Sequence, residues 1–174
     1  DAPVSGATQA AAEGRLMIMA GCTEAELASL SPVLAALGDR IVPLGRRGAG
    51  AAMKLAVNSL LHAVNQAAAE AMVLAEAAGV PSDTALAVLQ DSAAGPPMLR
   101  YRRPLYLDEG AHPVAFTVAL ARKDMEVATA LAAEAGVAMP AAAVTLDRLR
   151  AAEGAGHAER DMASMLDFMR KARR

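Results

Sequence analysis

Between Lys54 and Glu70 the chain carries no Asp, Glu, Lys or Arg. Leu55, Ala56, Val57, Leu60, Leu61, Ala63, Val64 and the alanines at 67 to 69 would cover nearly the whole circumference of a helix. Gly45, Gly48 and Gly50 precede the run, and Gly79-Val80-Pro81 closes it with the glycine and proline of a helix stop. The pattern predicts one long helix over 50–78. A helix apolar all round is usually buried. In its first turns stand Lys54 and, four residues on, Asn58, a spacing that stacks both on one face. A lysine on such a helix is costly unless it is paired or used. The alternative is an ammonium that snorkels to water from the first turn.

Around this helix the chain changes character. Asp1-Ala2-Pro3-Val4-Ser5-Gly6 reads as a strand ending in a turn, 15–21 as a second short strand, and 40–44 as a third. Thr23-Glu24-Ala25-Glu26 fits a capping box and opens a helix to about residue 37. Three short strands with one or two helices are thin for an independent sheet. They read as the last strands of a larger α/β domain, the alternative being a small self-contained cap. From 50 onward the signals are helical. Ser82 is expected to cap a helix to 90 or 91, 98–107 is short helix or irregular, and helices follow over 116–135, 141–151 and 159–173. The fold class is mainly α, a bundle with short connections preceded by α/β strands. The boundary is placed between 1–47 and 48–174.

Composition narrows the function. A hydrophobic fraction of 55% with only 2% aromatic residues means that alanine, leucine, valine and methionine must fill the core. A net charge of -2 argues against nucleic-acid binding, which rests on a basic surface. The single cysteine, Cys22, excludes an intramolecular disulfide, fits a reducing compartment, and packs as a small hydrophobe. Asn58, His62, Asn65 and Gln66 interrupt the one run that approaches a membrane span. The chain is expected to be soluble and cytoplasmic, with no membrane partner. His62, His112 and His157 lack metal-ligand spacing, so no metal is expected. Arg100, Arg102 and Arg103 read as a solvated face or subunit contact, or as a place where one arginine meets an anion. Glycines 45, 48 and 50 do not make a phosphate fingerprint and serve close packing and a tight helix entry.

Taken in order, Asp1-Ala2-Pro3-Val4-Ser5-Gly6, the glycine-led Lys54-x-x-x-Asn58, and Phe116 with Lys123-Asp124 seven residues on resemble the β-hydroxyacid dehydrogenase family. That family includes 3-hydroxyisobutyrate dehydrogenase and tartronate semialdehyde reductase and is related to 6-phosphogluconate dehydrogenase. The resemblance covers essentially the whole chain. It implies the carboxyl half of such an enzyme: the last strands of a Rossmann-like NAD(P)-binding domain, then a 6-phosphogluconate-dehydrogenase-like helical domain for substrate and dimerisation. It implies NAD or NADP as cofactor, a homodimer or higher homo-oligomer, and no turnover by this chain alone. It implies that Ser5 and Gly6 hold a substrate carboxylate, although Ala7 stands where a second glycine is usual. By the same resemblance Lys54 is the catalytic lysine and Asn58 holds substrate beside it. Lys123 reaches the cofactor with Asp124 orienting it, and Phe116 belongs to the same cofactor-binding set.

The implied reaction interconverts a 3-hydroxy acid and its semialdehyde. A lysine can exchange the hydroxyl proton when burial or a neighbouring cation brings its ionisation toward neutral pH, and in its charged form it stabilises a developing alkoxide. The related imine reductases generally lack this lysine, so Lys54 favours alcohol and aldehyde chemistry over an imine-reductase-like reaction. A non-catalytic helical dimerisation module is the alternative from another class. It has no need of Lys54 or Asn58.

Overall fold

The computed structural model describes residues 1–172, so the last residue of the helix expected over 159–173 lies outside the described residues. The chain divides into two compact units, Asp1–Asn58 and the residues from Ser59 on.

The first unit is built on a three-stranded sheet with β1 (Val4–Ser5), β2 (Met17–Ala20) and β3 (Arg40–Pro43) in that order. β1 runs antiparallel to β2 with Val4 opposite Ile18, and β2 runs parallel to β3 with Met17 opposite Arg40. The central strand is the buried one: Ile18, Met19 and Ala20 are each at most 2% exposed. Between β1 and β2 the alanine-rich segment forms a short helix, α1 (Ala7–Ala12), so the unit has the second of the one or two helices expected. The crossover helix α2 (Glu24–Leu34) starts on the expected capping box, with Thr23 Oγ1 accepting from Glu26 N and the Glu26 carboxylate from Thr23 N. It ends earlier than expected, in tight turns, because the chain must pass close under β2. At Gly38 a Cβ would collide with the Leu16 carbonyl, so only glycine permits the approach.

The long helix is α3 (Ala49–Ala77), and Gly79 at φ 87 ends it as the sequence predicts. Its burial departs from expectation. Leu60 and Leu74 are 67% and 72% exposed, whereas Asn58, His62, Asn65 and Gln66 are buried. Asn65 can turn inward because it finds hydrogen bonds there. Asn65 Nδ2 donates to the Met162 carbonyl at 2.9 Å and its Oδ1 accepts from the Tyr106 hydroxyl at 2.6 Å.

The second unit adds α4 (Ser82–Asp91), α5 (Pro97–Tyr101), α6 (Arg103–Leu107), α7 (Val118–Glu134), α8 (Pro140–Ala152) and α9 (Met165–Lys171). Ala69, Met72, Leu86, Val118, Met125, Met162 and Met165 form part of a methionine-rich core, as expected for a chain short of aromatics. α7 and α8 pack together across the short turn at Gly136. Two local expectations are corrected. Ser82 does not cap α4; it is the first helical residue, and its hydroxyl donates to Glu76 Oε1 at 2.7 Å. The last helix begins only at Met165, preceded by a 3-10 turn over Met162–Ser164. Residues before it are bound elsewhere: Arg160 O accepts from Val118 N at 3.0 Å, and Met162 N donates to Phe116 O at 2.8 Å. Backbone spent on these bridges is not available to a helix.

Candidate functional site

In the first unit the Ser5–Gly6 pair lies at the end of β1, with Ser5 half-buried and Gly6 exposed. Gly6 adopts φ 144, and a Cβ there would meet the Ala10 Cβ at 2.6 Å. Ala7 follows at φ 58, the one described non-glycine residue with a positive φ. The position where the family's pattern has a second glycine therefore keeps the left-handed backbone while carrying a methyl group, a conformation disfavoured for L-residues.

Lys54 and Asn58 stand one turn apart on α3, Lys54 half-buried and Asn58 8% exposed. The start of this helix is tied down by a residue far away in sequence. Asp1 Oδ1 accepts from Gly48 N and Asp1 Oδ2 from Ala51 N, both at 2.8 Å. An anionic carboxylate on the first amides of a helix satisfies orphan donors and meets the positive end of the macrodipole. Glycine makes this approach possible, since a Cβ on Gly50 would overlap the Met19 carbonyl and lie 2.8 Å from Asp1 Oδ2. The expected close packing thus holds for Gly50. Gly45 and Gly48 serve instead through positive φ, 84 and 82, with open space around them.

In the second unit Lys123 and Asp124 follow one another in the second turn of α7, which Thr117 caps by accepting from Leu120 N at 3.1 Å. Lys123 Nζ is 3.2 Å from Asp124 Oδ1, with the lysine side chain 61% exposed and the aspartate side chain 14% exposed. Phe116 precedes the cap. Its amide and that of Ala115 donate to Asp161 Oδ2 at 3.1 and 2.9 Å. Asp161 is fully buried and ion-paired with Arg102, itself only 5% exposed. Arg102 is therefore neither on a solvated face nor open to an anion, and its neighbours Arg100 and Arg103 hydrogen-bond Gln90. The other oxygen of Asp161 also accepts from Ala163 N at 2.8 Å. A carboxylate so engaged organises the loop leading into α7, and nothing local in the sequence signals it.

His62 is the other residue that sequence reasoning passed over. It is 2% exposed, its ring centroid lies 5.6 Å from that of Phe116, and its Nε2 is 3.9 Å from Asp124 Oδ2. The signal that could have found it is its spacing, four residues beyond Asn58 on the same helix. A cleft of about 410 Å³ elsewhere in this unit, lined by residues including Tyr106, Glu109, Arg160, Ser164 and Asp167, contains none of the expected site residues. Its charges are largely spent on each other, Arg160 pairing with Glu109 at 2.6 Å and Asp167 at 2.9 Å.

Comparison with known proteins places the chain. A protein-family profile described as the NAD-binding region of NADP-dependent 3-hydroxyisobutyrate dehydrogenase matches residues 48–169, and one described as the NAD-binding domain of 6-phosphogluconate dehydrogenase matches 1–45. Glyoxylate/succinic semialdehyde reductase 1 of Arabidopsis thaliana is 34% identical over 99% of this chain and 60% of its own length. The 3-sulfolactaldehyde reductase of Escherichia coli is 32% identical over 98% of the chain and 57% of its own. Among solved structures, 3-hydroxyisobutyrate dehydrogenase of Salmonella typhimurium superposes with a TM-score of 0.86 at 29% identity, over 97% of this chain and 59% of that one. The Mycobacterium tuberculosis 3-hydroxyisobutyrate dehydrogenase solved with L-serine gives 0.86 at 30% identity, over 98% and 60%. The chain thus spans about three-fifths of the length of these relatives. With the helical match running through most of its length, it belongs to the NAD-binding 3-hydroxyisobutyrate dehydrogenase family, within the β-hydroxyacid dehydrogenase oxidoreductases.

Proposed function

We propose that this chain is the substrate-side part of an NAD(P)-dependent oxidoreductase that interconverts a 3-hydroxy acid and its semialdehyde, with Lys54 as general acid/base. The observation that carries the reading is Lys54 with Asn58 one turn on, half-buried and buried, at the anchored start of α3. The names of the relatives supply the substrate class: succinic semialdehyde, glyoxylate and sulfolactaldehyde each join an aldehyde to an acid group.

The nicotinamide, when bound, supplies or accepts hydride at the carbinol carbon. Lys54 moves the proton at the substrate oxygen and stabilises negative charge there. Asn58 holds the substrate against Lys54 so that the proton has a short path. Ser5 offers a hydroxyl and Gly6 an exposed amide for the substrate's carboxylate. The residues toward the cofactor fit its chemistry. Lys123 is an exposed cation suited to phosphate, Asp124 a carboxylate suited to a hydroxyl, and Phe116 an aromatic face suited to a planar ring. We assign 1–47 to the nucleotide-binding domain and 48–174 to the helical substrate domain. On this reading the chain alone turns over no substrate and assembles as a homo-oligomer. Exposed Leu60, Leu74 and Val144 favour that association.

The test is steady-state kinetics on the full-length protein with a panel of 3-hydroxy acids and their semialdehydes. Lys54→Ala lowers kcat by roughly a hundredfold or more with the fold intact. Lys54→Arg is also poor, because guanidinium does not release its proton. Asn58→Ala acts mainly on KM. An active Lys54→Ala enzyme overturns the mechanism.

A further inference from the structure

His62 sits on the buried side of α3, and neither Nδ1 nor Nε2 has a hydrogen-bond partner among the described residues. As packing alone this is a poor choice, because an apolar side chain of similar shape would fill the space without stranding two polar atoms. The ring is well held. It rests on Phe116 with 31° between the planes, and the Phe116 amide is in turn bound to the fully buried Asp161. What the imidazole faces is Asp124, at 3.9 Å from Nε2 to Oδ2. That is beyond hydrogen-bond reach but leaves the carboxylate as a charged neighbour of the ring.

Two of the groups beside the Asp124 carboxylate differ in kind. The exposed Lys123 ammonium lies at Oδ1, and the imidazole, with 1% of its side chain exposed, lies at Oδ2. A lysine as open to water as Lys123 cannot fix a carboxylate's orientation, since exposed pairs are worth little and keep their side-chain freedom. A rigid ring clamped against Phe116 can. We infer that His62 is a positioning residue that holds Asp124 from the buried side, so that Asp124 and Lys123 meet the dinucleotide in one orientation. This rests on the assignment of Lys123 and Asp124 to the cofactor.

The test is an equilibrium titration of NADH and NADPH against the full-length protein, with thermal unfolding alongside. His62→Phe keeps the ring contact and removes both nitrogens. It is expected to weaken dinucleotide binding about three- to tenfold, the worth of one such polar contact, without lowering the unfolding temperature. Asp124→Asn alone weakens binding, and adding His62→Phe to it weakens binding no further, because the imidazole acts through the carboxylate. If Asp124→Asn weakens binding while His62→Phe does not, or if the two effects add, the inference is overturned and the cofactor assignment stands. If Asp124→Asn leaves affinity unchanged, that assignment fails and the inference with it. Should His62→Phe not fold, His62→Gln replaces it: it retains a donor that can reach Asp124 and is expected to recover at least part of the affinity of the parent, and binding below that of a His62→Leu protein overturns the inference.

Discussion

Replacing Asp1 by alanine removes both acceptors from the start of α3. The loss can be worked from the two bonds, Gly48 N and Ala51 N each 2.8 Å from a carboxylate oxygen. Deleting a helix cap costs typically about 1 kcal/mol, and the attraction of a negative charge to the helix N-terminus adds a few tenths, up to about 1 kcal/mol. Asp1 is exposed, which holds the macrodipole contribution to its low end. The sum is about 1.3 kcal/mol. For a chain of this size each kcal/mol shifts the unfolding midpoint by roughly 2–4 °C, so Asp1→Ala lowers it by about 3–5 °C. Asp1→Asn keeps one acceptor and loses the charge, and costs about half as much. Circular dichroism melts measure both, and hydrogen exchange locates the effect, with the Gly48 and Ala51 amides losing protection before those of the α7 interior. The reasoning is refuted if Asp1→Ala melts within about 1 °C of the parent, or if Asn is as costly as Ala.

At the β1 turn, Ala7→Gly exchanges a left-handed alanine at φ 58 for a residue that adopts this conformation freely. Relief of roughly 1–2 kcal/mol outweighs the added unfolded-state entropy of about 0.5–1 kcal/mol. The variant is expected to be equal or up to ~1.5 kcal/mol more stable in urea unfolding, and a clear destabilisation refutes the assigned strain. His157, 3% exposed, has its pKa lowered by burial first and by the Arg160 charge second. Below about pH 6.5 the unfolded chain takes up a proton that the folded chain refuses. The stability contributed by neutral His157 is therefore full above that pH and is lost as pH falls through the depressed folded value. Unfolding free energy measured from pH 7.5 down to 5 should fall more steeply for the parent than for His157→Gln; equal slopes refute the assignment.

Much of the candidate site was legible because its pieces are local. Lys54 and Asn58 share a face by helical spacing alone, and Lys123 and Asp124 lie together on α7 within its second turn. Thr23 and Glu26 make the capping box that their spacing announces. Arg102 could not be read this way. Between Arg100 and Arg103 it looks like surface charge, yet its partner Asp161 lies 59 residues on, and it is buried because that carboxylate is. His62 shows no metal-ligand spacing in the sequence, and its charged neighbour is an aspartate on another helix.

The sequence by itself determined the order of strands and helices and the bounds of α3, with a start at the glycines before Ala49 and a stop at Gly79, because these depend on bonds and sterics reaching only about four residues. It also carried the family, through short motifs in a fixed order. Tertiary structure alone decided which polar groups meet. Ser82 turns to Glu76 instead of capping its helix, Asp1 caps a helix that begins 48 residues later at Ala49, and the polar side of α3 faces in while Leu60 and Leu74 face out. The physical reason is the same in each case. Ser82, Asp1 and Asn65 each sit where their hydrogen-bonding capacity is met, by a partner that a distant stretch of chain supplies.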